Sequence, residues 1–251
     1  RRRRSRPRLL SRVLSRGSTP REQDLRLTCD SRRKNGRAAE TGSPASRRTR
    51  RSECPAVKGE LIRVRPSQQM RDLGIVQYGA PSLAEPARLF ALPGERETAD
   101  MVIARLLDAI ERIRRVHDFS GKGLGLAAPQ IGIDRAAAVV QPPAADPIVL
   151  LNPRITAASE ELDEKFEGCL SLFDVRVPVP RPLRITVETV TPEGSAATTV
   201  FEQGDARLVA HEIDHLDGVL VLDRMRPGVV PVPVEEYRKT AEATGRAWSY
   251  E

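Results

Sequence analysis

Cysteine is scarce in this chain of 251 residues, with three in all and no CxxC pair among them. An odd number without such pairing excludes a disulfide-stapled scaffold and fits a reducing compartment. Aromatic residues amount to only 4%, and none occurs in the first 69 residues. No apolar stretch approaches the ~18 residues that a membrane span requires, so the sequence offers none. Histidine is as rare as cysteine, at positions 117, 211 and 215 only. The length allows one domain of ordinary size with a long appendage, or two small domains.

Charge is plentiful but divided. The formal net charge of +7 suggests a nucleic-acid partner until it is apportioned along the chain. Residues 1–69 hold 21 Lys and Arg against 6 Asp and Glu, a net of +15, whereas residues 70–251 hold 20 against 28, a net of −8. The basic part interleaves Arg with Ser, Pro and Gly, and cannot bury enough apolar surface to offset chain entropy. It is expected to be a disordered extension. Its arginines could neutralise phosphates, and Leu9, Leu10, Val13 and Leu14 among them resemble an organelle-targeting helix. Glu22, Asp24, Asp30 and Glu40 weigh against targeting. The plainest reading is an extension or upstream start without a function of its own, with Met70 standing just before the first patterned segment.

From Met70 the pattern is that of an α+β domain, expected over residues 70–228 with a partly helical tail at 229–251. GIVQYGAP (Gly74–Pro81) resembles a short strand. Apolar residues at steps of three and four from Thr98 to His117 predict an amphipathic helix. Strands are expected at Ala136–Val140, Ile148–Leu151, Leu183–Thr189 and Ala197–Phe201, the last two joined by a hairpin turn at Thr191–Ser195. A second helix is expected from Asp205, as its cap, to Leu216, stopped by Gly218. VLVLDRM (Val219–Met225) reads as a strand or its remnant. Mostly antiparallel strands would then surround the second helix.

Three motifs carry chemistry. In HEIDH (His211–His215) the two histidines are spaced i and i+4, so on a helix both imidazoles project from one face and can grip one metal ion. Glu212 sits close enough to handle a proton of water at the ion without being a ligand. A catalytic site of this kind needs a third protein ligand. Asp217, Asp223 and Glu235 are possible downstream. Upstream, EGCLS (Glu167–Ser171) offers Cys169, the only cysteine outside the basic segment and the better candidate as a soft thiolate. GLGLAAPQIG (Gly123–Gly132) has little side-chain bulk, which suits close backbone approach to a ligand. It partly fits a dinucleotide loop, but a helix rather than a strand precedes it, and Pro129 interrupts any helix starting there. Gln130 is its polar group, an amide able to donate to an oxyanion.

GLGLAAPQ, EGCLS and HEIDH, in this order and spacing, resemble the signature motifs of the peptide deformylases. The resemblance spans about Gly74 to Met225. It implies a hydrolase that removes the formyl group from the N-terminal formylmethionine of new polypeptides and releases formate. It implies that Cys169, His211 and His215 bind one divalent ion, Fe²⁺ in the cell with Zn²⁺ also able to occupy the site. Glu212 would be the general base and acid, and Gln130 with the Leu170 amide would stabilise the oxyanion. Gly125 would offer backbone contacts to the peptide. Arg176 and Arg181 match basic positions of the family, but Val177-Pro178 between them departs from its usual small residue plus apolar residue. That departure bears on the shape of the loop there and on the peptide-side pocket. Formylmethionyl peptides and nascent chains would be the partners, with association at the ribosome, in a bacterial cytoplasm. Two other readings remain beside this one: a metal-dependent endopeptidase using a downstream ligand, and a nucleic-acid binder acting through residues 1–69.

Overall fold

The computed structural model describes residues 65–244, apart from Asp118, Ser120, Gly121 and Ala144. The disorder, targeting and nucleic-acid expectations for the basic extension up to residue 64 lie outside the described residues, as does the end of the tail from 245. Helix α1 (Pro66–Asp72) begins four residues ahead of Met70. Pro66 fills the first turn, where a missing N–H costs nothing. The Ser67 N–H donates to Oδ1 of Asp174 at 2.9 Å, and Met70 is wholly buried. Folded structure therefore starts ahead of the residue at which the composition changes.

Helix α2 (Arg96–Val116) lies where the three-and-four spacing put it, burying Ala99, Val102, Leu106, Ala109, Ile110 and Ile113. The strands β1 (Leu124–Ala127), β2 (Ala137–Gln141) and β3 (Ile148–Leu151) come next. β4 (Arg154–Ala158), β5 (Leu162–Cys169) and β6 (Leu172–Pro182) follow, then β7 (Arg184–Val190) and β8 (Ala196–Glu202). α3 (Gln203–Leu216), the short β9 (Val232–Pro233) and α4 (Val234–Thr244) complete the described chain. Neighbouring strands are antiparallel in three sheets, ordered β1-β2-β3, β4-β7-β8 and β5-β6-β9. This is the expected α+β class.

The first sheet positions the site, because successive strand residues face opposite sides. Leu124, Leu126, Ala137 and Val139 pack with the buried face of α2. Ala127, Ala138, Val140 and Leu150 pack with Val209, Ile213 and Leu216 of α3. The sheet thus lies between the two helices, and α3 is enclosed almost on all sides. Enclosure of this kind is energetically large: deleting a side chain such as Leu106, fully buried, costs about 2–5 kcal/mol in a close-packed core.

Several local expectations are corrected. Gly74–Pro81 is not a strand: Val76 N–H donates to Gln130 O at 2.8 Å and Tyr78 N–H to Ser171 O at 2.8 Å, so the segment is bonded to two different loops instead of one ladder. Val219–Met225 is not a strand either. Val221–Arg224 forms a 3₁₀ turn, closed by Asp223 Oδ2 accepting the Leu220 N–H at 2.8 Å. Asp205 lies inside the first turn of α3 and does not cap it, because the chain leaves β8 through Gln203 at a positive φ of 53°, with its N–H on Leu183 O. Gly218, at φ 72°, does end α3, its backbone pressed against Ala84 and Glu85. VRVPVPR is strand β6, not a loop. Pro178, Pro180 and Pro182 alternate along it, so all three missing N–H groups fall on one edge while the other edge pairs with β5.

Candidate active site

α3 carries His211, Glu212 and His215 in its last turns, and β5 carries Cys169 at its end, where Leu170 and Ser171 turn the chain into β6. Sγ of Cys169 lies 3.2 Å from Nε2 of His215. One ligand atom from each of Cys169, His211 and His215 falls within 4.8 Å of the others, and all three residues are buried. Asp217, Asp223 and Glu235 are not part of this group.

The donor set fits a cation. Burial alone would raise the Cys169 thiol, but His215 and His211 outweigh it and hold its pKa well below the usual thiol range. Burial alone would lower His211, but its hydrogen bonds with Cys169 and Glu167 raise it well above the usual value. The pocket therefore gathers thiolate character opposite positive charge, an arrangement that a metal ion can take over by displacing protons. Nδ1 of His211 lies 2.9 Å from Oε2 of Glu167. That bond leaves Nε2 as the ligand atom and fixes the ring.

Glu167 is itself held. Arg181 donates from Nε and Nη2 at 2.9 and 3.0 Å, and Arg207 from Nη1 at 2.7 Å. Burial would push its carboxyl up, but the His211 hydrogen bond and the Arg181 charge keep it well below the carboxylate range. Arg181 also reaches Asp214, at 2.5 Å, and Arg224 grips the same carboxylate from outside. The fourth residue of HEIDH thus anchors α3 to β6.

Glu212 lines the cavity together with Cys169 and His211 and is 2% exposed, with no hydrogen-bond partner for Oε2. Burial, aided by Cys169 and Glu167, pushes its pKa up to about 7. A carboxyl near neutrality can both accept and return a proton. Gly125 faces α3 across the sheet, and a Cβ on it would lie 2.2 Å from Oε1 of Glu212. Gln130 is locked by its Oε1, which accepts the Ala127 N–H at 2.9 Å. Its Nε2 points to Ser171 Oγ at 3.2 Å and towards Cys169 Sγ at 3.8 Å. The cavity, of about 360 Å³, is also lined by Leu170 and Arg176. Arg176 donates to the Val175 carbonyl at 2.7 Å, and its guanidinium packs so tightly on Gly168 that a Cβ there would lie 2.9 Å from Cζ.

Residues 73–229 match the family model described as Polypeptide deformylase. The chain belongs to that family. A peptide deformylase of Desulforudis audaxviator is 39% identical over 150 residues, which cover 60% of this chain and 91% of that one. The crystal structure of the peptide deformylase from Thermotoga maritima is 31% identical with a TM-score of 0.53, covering 61% of this chain and 97% of that one. A Met-Ala-Ser-bound class I type b peptide deformylase from Acinetobacter baumannii is 30% identical, with a TM-score of 0.52 over 60% of this chain and 96% of that one. The deformylases are metal-dependent hydrolases that remove the formyl group from N-terminal formylmethionine, and that is the reaction of this chain.

Relative to the sequence reading, this deformylase brings Cys169, His211, His215, Glu212, Gln130, Leu170, Gly125 and Arg176 to one centre. His215 sits behind the cavity wall, at 1% exposure. The reading did not assign Glu167, Arg207 or Asp214. Arg207 stands one helical turn before His211, and Glu167 two residues before Cys169, so the spacing that exposed the histidines also carried this signal. Gln77, which donates to the carbonyls of Ile75 and Leu170 at 3.1 Å, had no such signal. Nor had His117, Phe119, Phe173 and Val234, further parts of the cavity wall. Among the described residues no helix is long and apolar enough to cross a membrane.

Proposed function

We propose that Cys169, His211 and His215 hold one divalent ion, and that Glu212, Gln130 and the Leu170 amide carry out the hydrolysis beside it. The observation that supports this most is the meeting of the three ligand atoms within 4.8 Å of one another, with Cys169 and His211 lining the cavity that Glu212 also lines. An ion bound there acts as a Lewis acid and lowers the pKa of water towards neutrality. One thiolate and two imidazoles suit Fe²⁺ in the cell, and Zn²⁺ binds such a set more tightly.

Glu212 accepts a proton from the attacking water and returns it to the departing nitrogen. The bond between formyl carbon and methionine nitrogen breaks, and formate leaves together with the free α-amine. Gln130 Nε2 and the Leu170 N–H donate to the formyl oxygen as charge builds on it, each worth about 3 kcal/mol by comparison with other oxyanion holes. Arg181 and Arg207 act through Glu167, which orients His211. Gly125 leaves the room in which the Glu212 carboxylate stands, and its backbone faces the bound peptide. Arg176 shapes the peptide side of the cavity. The Met-Ala-Ser peptide carried by the Acinetobacter baumannii deformylase supports short formylmethionyl peptides, and nascent chains at the ribosome, as substrates. Thiol chemistry at Cys169 supports a reducing compartment, the bacterial cytoplasm.

Formate release from formyl-Met-Ala-Ser, measured beside casein cleavage, tests this reading. Equimolar formate and Met-Ala-Ser with intact casein are expected. Casein cleavage without formate would replace the reading with an endopeptidase.

A further inference from the structure

The three motifs do not close the cavity. Part of its remaining wall comes from Lys122, just ahead of β1, and from Val234 and Arg238 of α4. α4 is seated on the β5–β6 hairpin, where the Tyr237 ring lies 4.9 Å from that of Phe166. Arg238 is therefore presented by a helix packed beside the turn that holds Cys169. It has no carboxylate partner among the described residues.

The charge of this wall is one-sided. Among the described residues the carboxylates lining the cavity are Glu167 and Glu212, each 2% exposed. Glu167 is consumed by Arg181, Arg207 and His211, and Glu212 faces the reacting atoms. Lys122 and Arg238 also line it, and among the described lining residues no further acid stands with them. This is contrary to the trend of the molecule, since residues 70–251 bear a net charge of −8. His117, also in the wall, adds no negative charge. Burial lowers its pKa, and Arg238 lowers it further.

We infer that this enzyme favours substrates carrying a carboxylate shortly after the formylmethionine, and that Arg238, with Lys122, selects them. The inference rests on the deformylase reading and adds a substrate class to it. A formylated N-terminus has no ammonium group, so the charge of the bound segment comes only from the residues that follow or from a nearby chain end. An extended residue spans about 3.3–3.6 Å, so a group reaching the wall of the catalytic cavity belongs to one of the first residues after methionine. A carboxylate there meets Arg238, and a lysine is repelled.

The test is kcat/KM for formate release by the metal-loaded enzyme at low ionic strength. Its substrates are the amides of formyl-Met-Asp-Ser, formyl-Met-Asn-Ser and formyl-Met-Lys-Ser, with formyl-Met-Asn-Ser as the free acid. Asp is nearly isosteric with Asn, so their ratio isolates charge. The order Asp, Asn, Lys is expected, with Asp about threefold to fivefold above Asn, the scale of a solvent-exposed ion pair, and declining with added salt. Arg238→Gln should bring the ratio close to one, and Lys122→Gln should lower it. Arg154→Gln, on β4 and outside the cavity, should preserve it. A gain for the free acid over its amide assigns the chain end as an alternative source of the same carboxylate. Equal rates for Asp and Asn would overturn the inference. So would a ratio that survives both cavity substitutions, or one that Arg154→Gln also abolishes. Formate release from none of the peptides would overturn the deformylase reading itself.

Discussion

Gly125 of β1 and Glu212 of α3 are in contact at a position where only glycine leaves room for the carboxylate: a Cβ at 125 would stand 2.2 Å from Oε1 and 2.6 Å from Cδ of Glu212. Glu212 is enclosed, and its carboxylate fills the space beside Gly125. Gly125→Ala must therefore move the carboxylate or push the strand from the helix. kcat for formate release is expected to fall by about 10²- to 10⁴-fold, the scale of general acid–base catalysis, with the metal retained. Near-normal kcat would show that the carboxylate need not occupy its present place.

Cys169→Ala removes one of three protein ligands. Metal content by elemental analysis and formate release should both be lost, while replacement of Cys29 or Cys54 should alter neither. Full occupancy in the Cys169 variant would mean that another side chain completes the site.

Glu167→Gln tests the buried charge network. The substitution leaves Arg181 and Arg207 without the carboxylate they share. Breaking a buried pair in this way costs about 3–5 kcal/mol, and at about 2–4 °C per kcal/mol for a domain of this size the Tm should fall by about 6–20 °C. Metal affinity should also weaken by about 10- to 100-fold, because His211 loses the group that orients it. An unchanged Tm would show that the arginines find other partners.

The histidine pair of the proposed metal site was legible because helical spacing and residue rarity act together: two of three histidines fall four residues apart. The helix α2 was legible from its apolar period. β6 was not, since a proline at every second position reads as a strand breaker, and only its pairing with β5 shows that the missing donors share one edge. β4 and β5 were equally hidden, because their exposed, charged faces lack an apolar alternation. Gln77 and Arg238 reach the site through tertiary packing alone, which no local pattern encodes.

The start of the folded part follows from α1. A chain beginning at Arg65 keeps the helix and the Ser67 bond to Asp174. One beginning at Met70 loses that bond and the first turn, worth about 0.5–1.5 kcal/mol for the hydrogen bond. Both shortened chains should release formate, and thermal unfolding should place the Met70 chain a few degrees lower, about 2–4 °C per kcal/mol. Equal melting temperatures would show that residues 65–69 add nothing to stability.

The most direct test of the mechanism is kcat for formate release by metal-replete Glu212→Gln. The amide keeps the shape of the carboxylate and its hydrogen-bonding reach, but it cannot take up a proton. His211 and His215 should still hold the ion, so metal content should equal that of the parent enzyme. KM should change little, because the substrate is held elsewhere. kcat should fall by at least about 10²- to 10⁴-fold. A fully metallated Glu212→Gln enzyme with near-normal kcat would contradict the assignment, since another group would then be moving the proton.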